Sequence, residues 1–101
     1  MNSTQPLEMR LAERLRGACS ETRALGCYRQ RFEQLLERND VIRAVRQHLI
    51  YDEPDAALNQ LARMGRLDLA AEQIVLEPTY RKLFDEAELA AAKRRLTYVS
   101  Y

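Results

Sequence analysis

Apolar and small side chains recur at Leu7, Leu11, Leu15, Ala18, Thr22, Leu25, Phe32 and Leu36, with Arg29 the one polar interruption and Tyr28 beside it. Steps of three and four keep these positions on a single helical face, so the pattern predicts a long N-terminal helix. Run on to Arg38, that helix would measure about 51 Å at 1.5 Å per residue, whereas a compact chain of this length spans only about 35 Å. Gly17 and Gly26 bear on its continuity, because each costs a helix interior about 1 kcal/mol relative to Ala. Two outcomes follow. A break near Gly26, with the glycine past the C-terminus after Leu25, gives two helices that fit a compact bundle; an unbroken helix leaves its distal stripe for another protein or a second copy to cover.

Further along, Asn39 and Asp40 are cap residues for a helix with Val41, Ile42, Val45, Leu49 and Ile50 on its apolar stripe. Asp52, Glu53 and Pro54 stop that helix and start another, with Ala57, Leu58, Leu61 and Ala62 on one face and Gly65 just past its end. Leu67, Ala70, Ala71, Ile74 and Val75 follow, so residues 54–77 are expected to form a helical hairpin closed by Pro78. Asp85 with Glu88 three residues on is a capping box for a last helix through Leu96. At the other end Ser3 and Thr4 before Pro6 form a helix start. Residues 97–101 have strand-like composition and are expected to be an extended tail. The expected fold is all-α, a small helical bundle of four to six helices.

Composition supports that class. Leu occurs 15 times and Ala 13 times, both strong helix formers, and β-branched residues are scarce. With 101 residues, a single domain over 1–101 is expected. The 16 basic residues meet 15 acidic ones, a net charge of +1, which argues against a general nucleic-acid or acidic-membrane binder. No apolar run is long enough to span a bilayer, and the early residues do not form a secretory signal, so a cytoplasmic protein with no membrane partner is expected. Arginine makes up 14 of the 16 basic residues, a skew that a GC-rich genome explains better than any interface.

Candidate chemistry is sparse. Cys19 and Cys27 lie eight residues apart, about 12 Å on a continuous helix, too far for a disulfide, and supply too few ligands for a structural zinc site. His48 is the sole histidine and reads as a surface or boundary residue, which removes most nucleophile–base schemes. Acid pairs such as Asp52–Glu53 and Asp85–Glu86 are explained by capping, and the isolated glycines form no phosphate loop. Leu58, Leu61, Gly65, Ala70 and Ile74 resemble tetratricopeptide spacing over about 20 residues, but no second copy follows; this supports a helical hairpin alone. A helix-turn-helix over 57–76 would place Asp68, Glu72 and Glu77 on its second helix, which phosphate repels.

These features point away from an enzyme, from a cofactor and from a small-molecule substrate. They point to a non-enzymatic protein–protein interaction module of bacterial type: an adaptor, chaperone-like partner or regulator of one target. The alternatives are a phage- or plasmid-encoded inhibitor, and a dimeric nucleic-acid-binding regulator using the N-terminal stripe Arg16, Arg23, Arg31 and Arg38. The expected partner-binding residues are Tyr28, Arg31, Phe32 and Leu35, with Tyr98 and Tyr101 of the tail secondary, because aromatic residues and Arg are the usual energetic centres of interfaces. The partner is expected to be another protein or a second copy, as a homodimer through the N-terminal helix.

Overall fold

At Gly26 the first helix stops. In the computed structural model, which describes residues 6–51 and 56–97, α1 runs over Leu7–Ala24 and the chain then turns into α2, Gln30–Arg38. Gly26 takes φ +86°, its N–H reaches the Arg23 carbonyl at 3.0 Å, and the Cys27 N–H reaches that of Thr22 at 3.0 Å. This pair of bonds satisfies carbonyls that a helix end leaves open, and it needs the left-handed backbone that glycine adopts most cheaply. Of the two outcomes the sequence allowed, the break is the one realised. Helix α1, 18 residues and about 27 Å long, therefore stays within a body whose radius of gyration is 13.0 Å.

Four further helices follow: α3 over Val41–Tyr51, α4 over Ala56–Arg63, α5 over Ala71–Ile74 and α6 over Glu86–Thr97. The starts of α3 and α6 obey the capping chemistry expected of them. The Asp40 side chain accepts the Arg43 N–H at 2.9 Å, and Asp85 and Glu88 exchange reciprocal bonds to each other's N–H groups at 2.8 and 2.9 Å. Gly65 repeats the geometry of Gly26 at the end of α4, with φ +70° and the Arg66 N–H on the Leu61 carbonyl at 2.8 Å.

The second arm of the expected 54–77 hairpin is not a single helix. It is a 3-10 turn at Leu67–Leu69, an extended Ala70 with ψ 135°, and the one-turn α5. Leu69, Ala70, Ala71 and Glu72 are buried in succession, and a continuous helix cannot turn four consecutive side chains to one side. The extended residue resolves that conflict. With four residues in α5, a helix-turn-helix has no recognition helix at this place.

Helix α2 packs on α3, α6 packs on α3 and α5, and α1 lies across α3, α2, α5 and the 3-10 turn. Leu11 and Leu15 of α1, Val45 of α3, Leu58 and Leu61 of α4, and Ile74 and Val75 form the centre of one apolar core. Among the described residues there is no strand, and no helix is long and apolar enough to cross a membrane. The Ser3–Thr4 start, the Asp52–Pro54 boundary and the Tyr98–Tyr101 tail lie outside the described residues.

Candidate functional site

Four polar side chains converge inside this core. Glu72 of α5 is completely buried, and around it lie Arg29 from the α1–α2 connection, His48 of α3 and Arg95 of α6, each at most 6% exposed. Arg29 grips the carboxylate with both arms, Nη1 to Oε1 at 2.9 Å and Nη2 to Oε2 at 3.1 Å. Arg95 Nε donates to Oε2 at 2.8 Å, and His48 Nε2 lies 3.0 Å from both Oε2 and Arg29 Nη2. As an N–H that nitrogen donates to the carboxylate; as a bare nitrogen it accepts from Arg29. The His48 ring rests 4.7 Å from that of Phe32, tilted by 46°.

Burial pushes the Glu72 carboxyl up, but Arg29 and then His48 outweigh it and hold the group well below the usual carboxylate range. Glu72 is thus ionised at neutral pH and has no proton to donate, both its oxygens are taken, and solvent does not reach it. The cluster can clamp but offers no substrate a way in. It ties three helices and the α1–α2 connection to one carboxylate, and Arg29 fixes the residues just before it. His48 is a core residue, not a boundary one, because its imidazole stands at this shared centre.

The connection that Arg29 pins forms the outer face of the same end of the molecule. Buried Cys27 touches Met64 of the other glycine turn, its thiol 3.8 Å from the thioether sulfur. Leu25, Tyr28 and Met64 remain 38%, 54% and 49% exposed. The Arg23 guanidinium carbon sits 5.0 Å above the centre of the Tyr28 ring and also pairs with Glu33. Arg66 ties the two turns together by reaching Glu21 of α1 at 3.4 Å and Asp68 at 3.1 Å. Pairing with Asp68 raises the Arg66 guanidinium, and the same bond lowers the Asp68 carboxyl.

Neither family models, nor curated proteins, nor solved structures give a match. What the site can do therefore rests on its own geometry.

The structure spreads the expected contact residues over different surroundings. Tyr28 and Arg31 are exposed, Leu35 is partly covered, and Phe32 is 3% exposed, inside the core against His48. Tyr98 and Tyr101 lie outside the described residues. The break at Gly26 divides the arginine stripe, with Arg16 and Arg23 on α1 and Arg31 and Arg38 on α2. Arg16 and Arg23 line one crevice with Glu33 and Glu37, an even balance of charge that does not suit a phosphate backbone. In the same crevice burial pushes the Cys19 thiol up to about 11, so it is not a thiolate at neutral pH. Among the described residues no three His, Cys, Asp or Glu side chains converge on a metal position.

Sequence reasoning missed Glu72 and Arg95, and Met64 as a surface residue. Arg29 carried a signal: a charged residue in register with Leu25, Phe32 and Leu36 needs a buried partner or a break in the helix, and here it has both.

Proposed function

We propose that this chain is a non-enzymatic protein–protein interaction module whose contact face is the end formed by the two glycine turns. The observation that carries the reading is the exposure of Leu25, Tyr28 and Met64 on backbone that is fixed from beneath. Gly26 and Gly65 set the turns, Arg29 is bound to Glu72, and Cys27 rests on Met64, so these anchors are presented without a large ordering cost on binding.

The face is too small to be a whole interface and fits the centre of one. Three large side chains about half exposed offer on the order of 300 Å², while a stable specific complex of either kind buries about 800 Å² from each partner. A patch of this size fits the hot-spot centre of a heterologous contact, inserted into an apolar pocket on the partner. An adaptor, a single-target regulator and a phage- or plasmid-encoded inhibitor all use such a face; the partner's identity distinguishes them.

The test is co-purification of wild type and of a triple variant, Leu25→Ser, Tyr28→Ser and Met64→Gln, from cells expressing each. A defined partner held by wild type and lost by the variant at unchanged Tm supports the reading. Equal retention by both, or a self-associated species whose formation depends on these residues, overturns it.

A further inference from the structure

Two sulfur atoms meet where the glycine turns touch. The Cys27 thiol lies 3.8 Å from the Met64 thioether, and the two residues stand in opposite conditions, Cys27 2% exposed and Met64 49%. The backbone is held on both sides of the contact. The Met64 N–H bonds the Gln60 carbonyl at 3.0 Å and the Gly65 N–H bonds that of Ala62 at 3.1 Å, while the Cys27 N–H is fixed on Thr22. What can move is the Met64 side chain, flexible about three bonds and half in water; the thiol stays where its backbone holds it.

The molecule supplies its own comparisons. Met9 is as exposed as Met64, at 50%, but it lines a crevice with Glu8, Ala12, Arg16 and Val41 in which no cysteine stands. Cys19 is half-buried in a second crevice, which no methionine lines. Met64 is the exposed methionine with a thiol beneath it. The two sulfurs of that pair also differ in what they need in order to react. A thioether takes oxygen from a peroxide without first losing a proton, whereas a thiol reacts as its thiolate and only when it can be reached. Met64 is open to such a reagent and Cys27 is closed to it.

We propose that Met64 and Cys27 form a two-stage peroxide-responsive site, in which oxidation of the Met64 thioether lifts it off Cys27 and only then exposes the buried thiol to reaction. In the first stage the Met64 sulfur gives a lone pair to one oxygen of hydrogen peroxide. The S–O bond forms as the O–O bond breaks, and the departing oxygen takes the proton of the transferred one and leaves as water. Met64 is oxidised by two electrons and the peroxide is reduced. The product sulfoxide is polar, so hydration draws it outward from the apolar edge of the core. In the second stage the uncovered Cys27 loses its proton to solvent and attacks another peroxide, forming a sulfenic acid while the hydroxide that leaves is protonated to water. Neither stage requires a partner, so the site stands or falls apart from the contact role of the turn face.

The test uses the purified full chain carrying Cys19→Ser, which leaves Cys27 as its one thiol. Graded hydrogen peroxide is applied and removed, oxygen uptake at Met64, Met9 and Cys27 is followed by mass spectrometry, and the rate at which an aromatic disulfide reagent labels Cys27 is measured. Oxygen should enter Met64 before Cys27, and labelling should accelerate about tenfold or more in the Met64-oxidised molecules, as expected when a local cover is lost. Met64→Leu keeps an apolar cover that peroxide cannot oxidise, so in that variant labelling should stay slow after the same dose although Met9 is oxidised. Met9→Leu should leave the response intact, and Met64→Gln should label fast with no peroxide at all. Thermal melts should show the oxidised chain still folded at the assay temperature. Fast labelling before any peroxide, uptake at Cys27 ahead of Met64, a response that survives Met64→Leu, slow labelling of the sulfoxide form, or global unfolding on oxidation overturns the proposal.

Discussion

Residues 28 and 29 are neighbours in the chain and opposites in environment. Tyr28 holds an aromatic ring 54% exposed, while Arg29 holds a guanidinium 5% exposed against Glu72. The contrast extends to their surroundings: inside, Arg29, His48, Glu72 and Arg95 occupy space that apolar side chains usually fill; outside, Leu25, Tyr28 and Met64 face water. An ionic interior needs almost complete hydrogen bonding to be tolerated, and Glu72 has it. An apolar exterior needs nothing from the fold and gains only when something covers it. The inner set is therefore architectural, and the outer set is apolar surface that the fold itself leaves uncovered.

The largest expected effect comes from emptying the centre of the inner set. Glu72→Gln removes the charge that compensates two buried guanidinium groups and should cost about 3–5 kcal/mol in a urea unfolding experiment. The sharper form is a full exchange. If Glu72→Leu, Arg29→Met and Arg95→Leu are combined, the apolar replacement should recover most of that loss, because the cost lies in the uncompensated charge. A triple variant no better than the single one would mean that the polar groups define the packing itself. The same carboxylate sets a pH dependence. Its folded-state pKa is depressed, so its contribution is complete above the ordinary glutamate value of about 4.3 and disappears as pH falls through the lower folded value. Wild type should lose stability in that acidic window, and Glu72→Gln should show a flatter curve there.

Next come the glycine turns that separate the two environments. Gly26→Ala and Gly65→Ala meet no neighbouring atom, so the expected cost, about 1–2 kcal/mol each, comes from positive φ alone. Thermal melts of both variants measure it. If either variant matches wild type, that turn does not hold the left-handed geometry, and Tyr28 or Met64 loses its fixed platform.

These turns were legible in the sequence because glycine after an apolar periodic run has a local cause and a local signature. The same holds for Asp40, for the Asp85–Glu88 box, and for the α1 stripe Leu11, Leu15, Ala18 and Thr22, all of which are buried as the spacing requires. The break of the second hairpin arm was not legible, since Leu67 to Val75 satisfies helical spacing and only tertiary burial of four successive residues forces Ala70 into extended form. The ionic cluster was hidden for a related reason. Its members stand far apart in the chain, and nothing beside Glu72 in the run Ala70–Val75 marks it as buried. Arg29 alone broke a pattern, and Phe32, an anchor by composition, is placed by His48 in the core.

A smaller effect, of opposite sign, is expected at Gly17, which belongs to neither region. Its open surroundings and helical backbone should let Gly17→Ala raise stability by about 0.5–1 kcal/mol, seen as an increase in Tm. That variant calibrates the comparison: it gives the gain available where a residue is set by neither the cluster nor the turns. A loss instead of a gain would show that α1 is strained at mid-length.

The smallest effect belongs to the outer set, and its smallness is what the comparison requires. Tyr28→Ser removes an exposed ring and its contact with Arg23, a cation–π pair worth about 0.5–1 kcal/mol at an exposed site. Arg23 keeps Glu33 as a partner after the change, so part of that contact is replaced and the net loss should stay near 0.5 kcal/mol. Met64→Gln should cost slightly more, because its sulfur also covers Cys27. Urea unfolding of the two single variants and of the double variant tests whether the costs add. Additivity at these low values would show side chains that the fold carries without depending on them. A loss approaching that of Glu72→Gln would instead make Tyr28 a structural member of the inner cluster and remove the physical reason for assigning contact to this end.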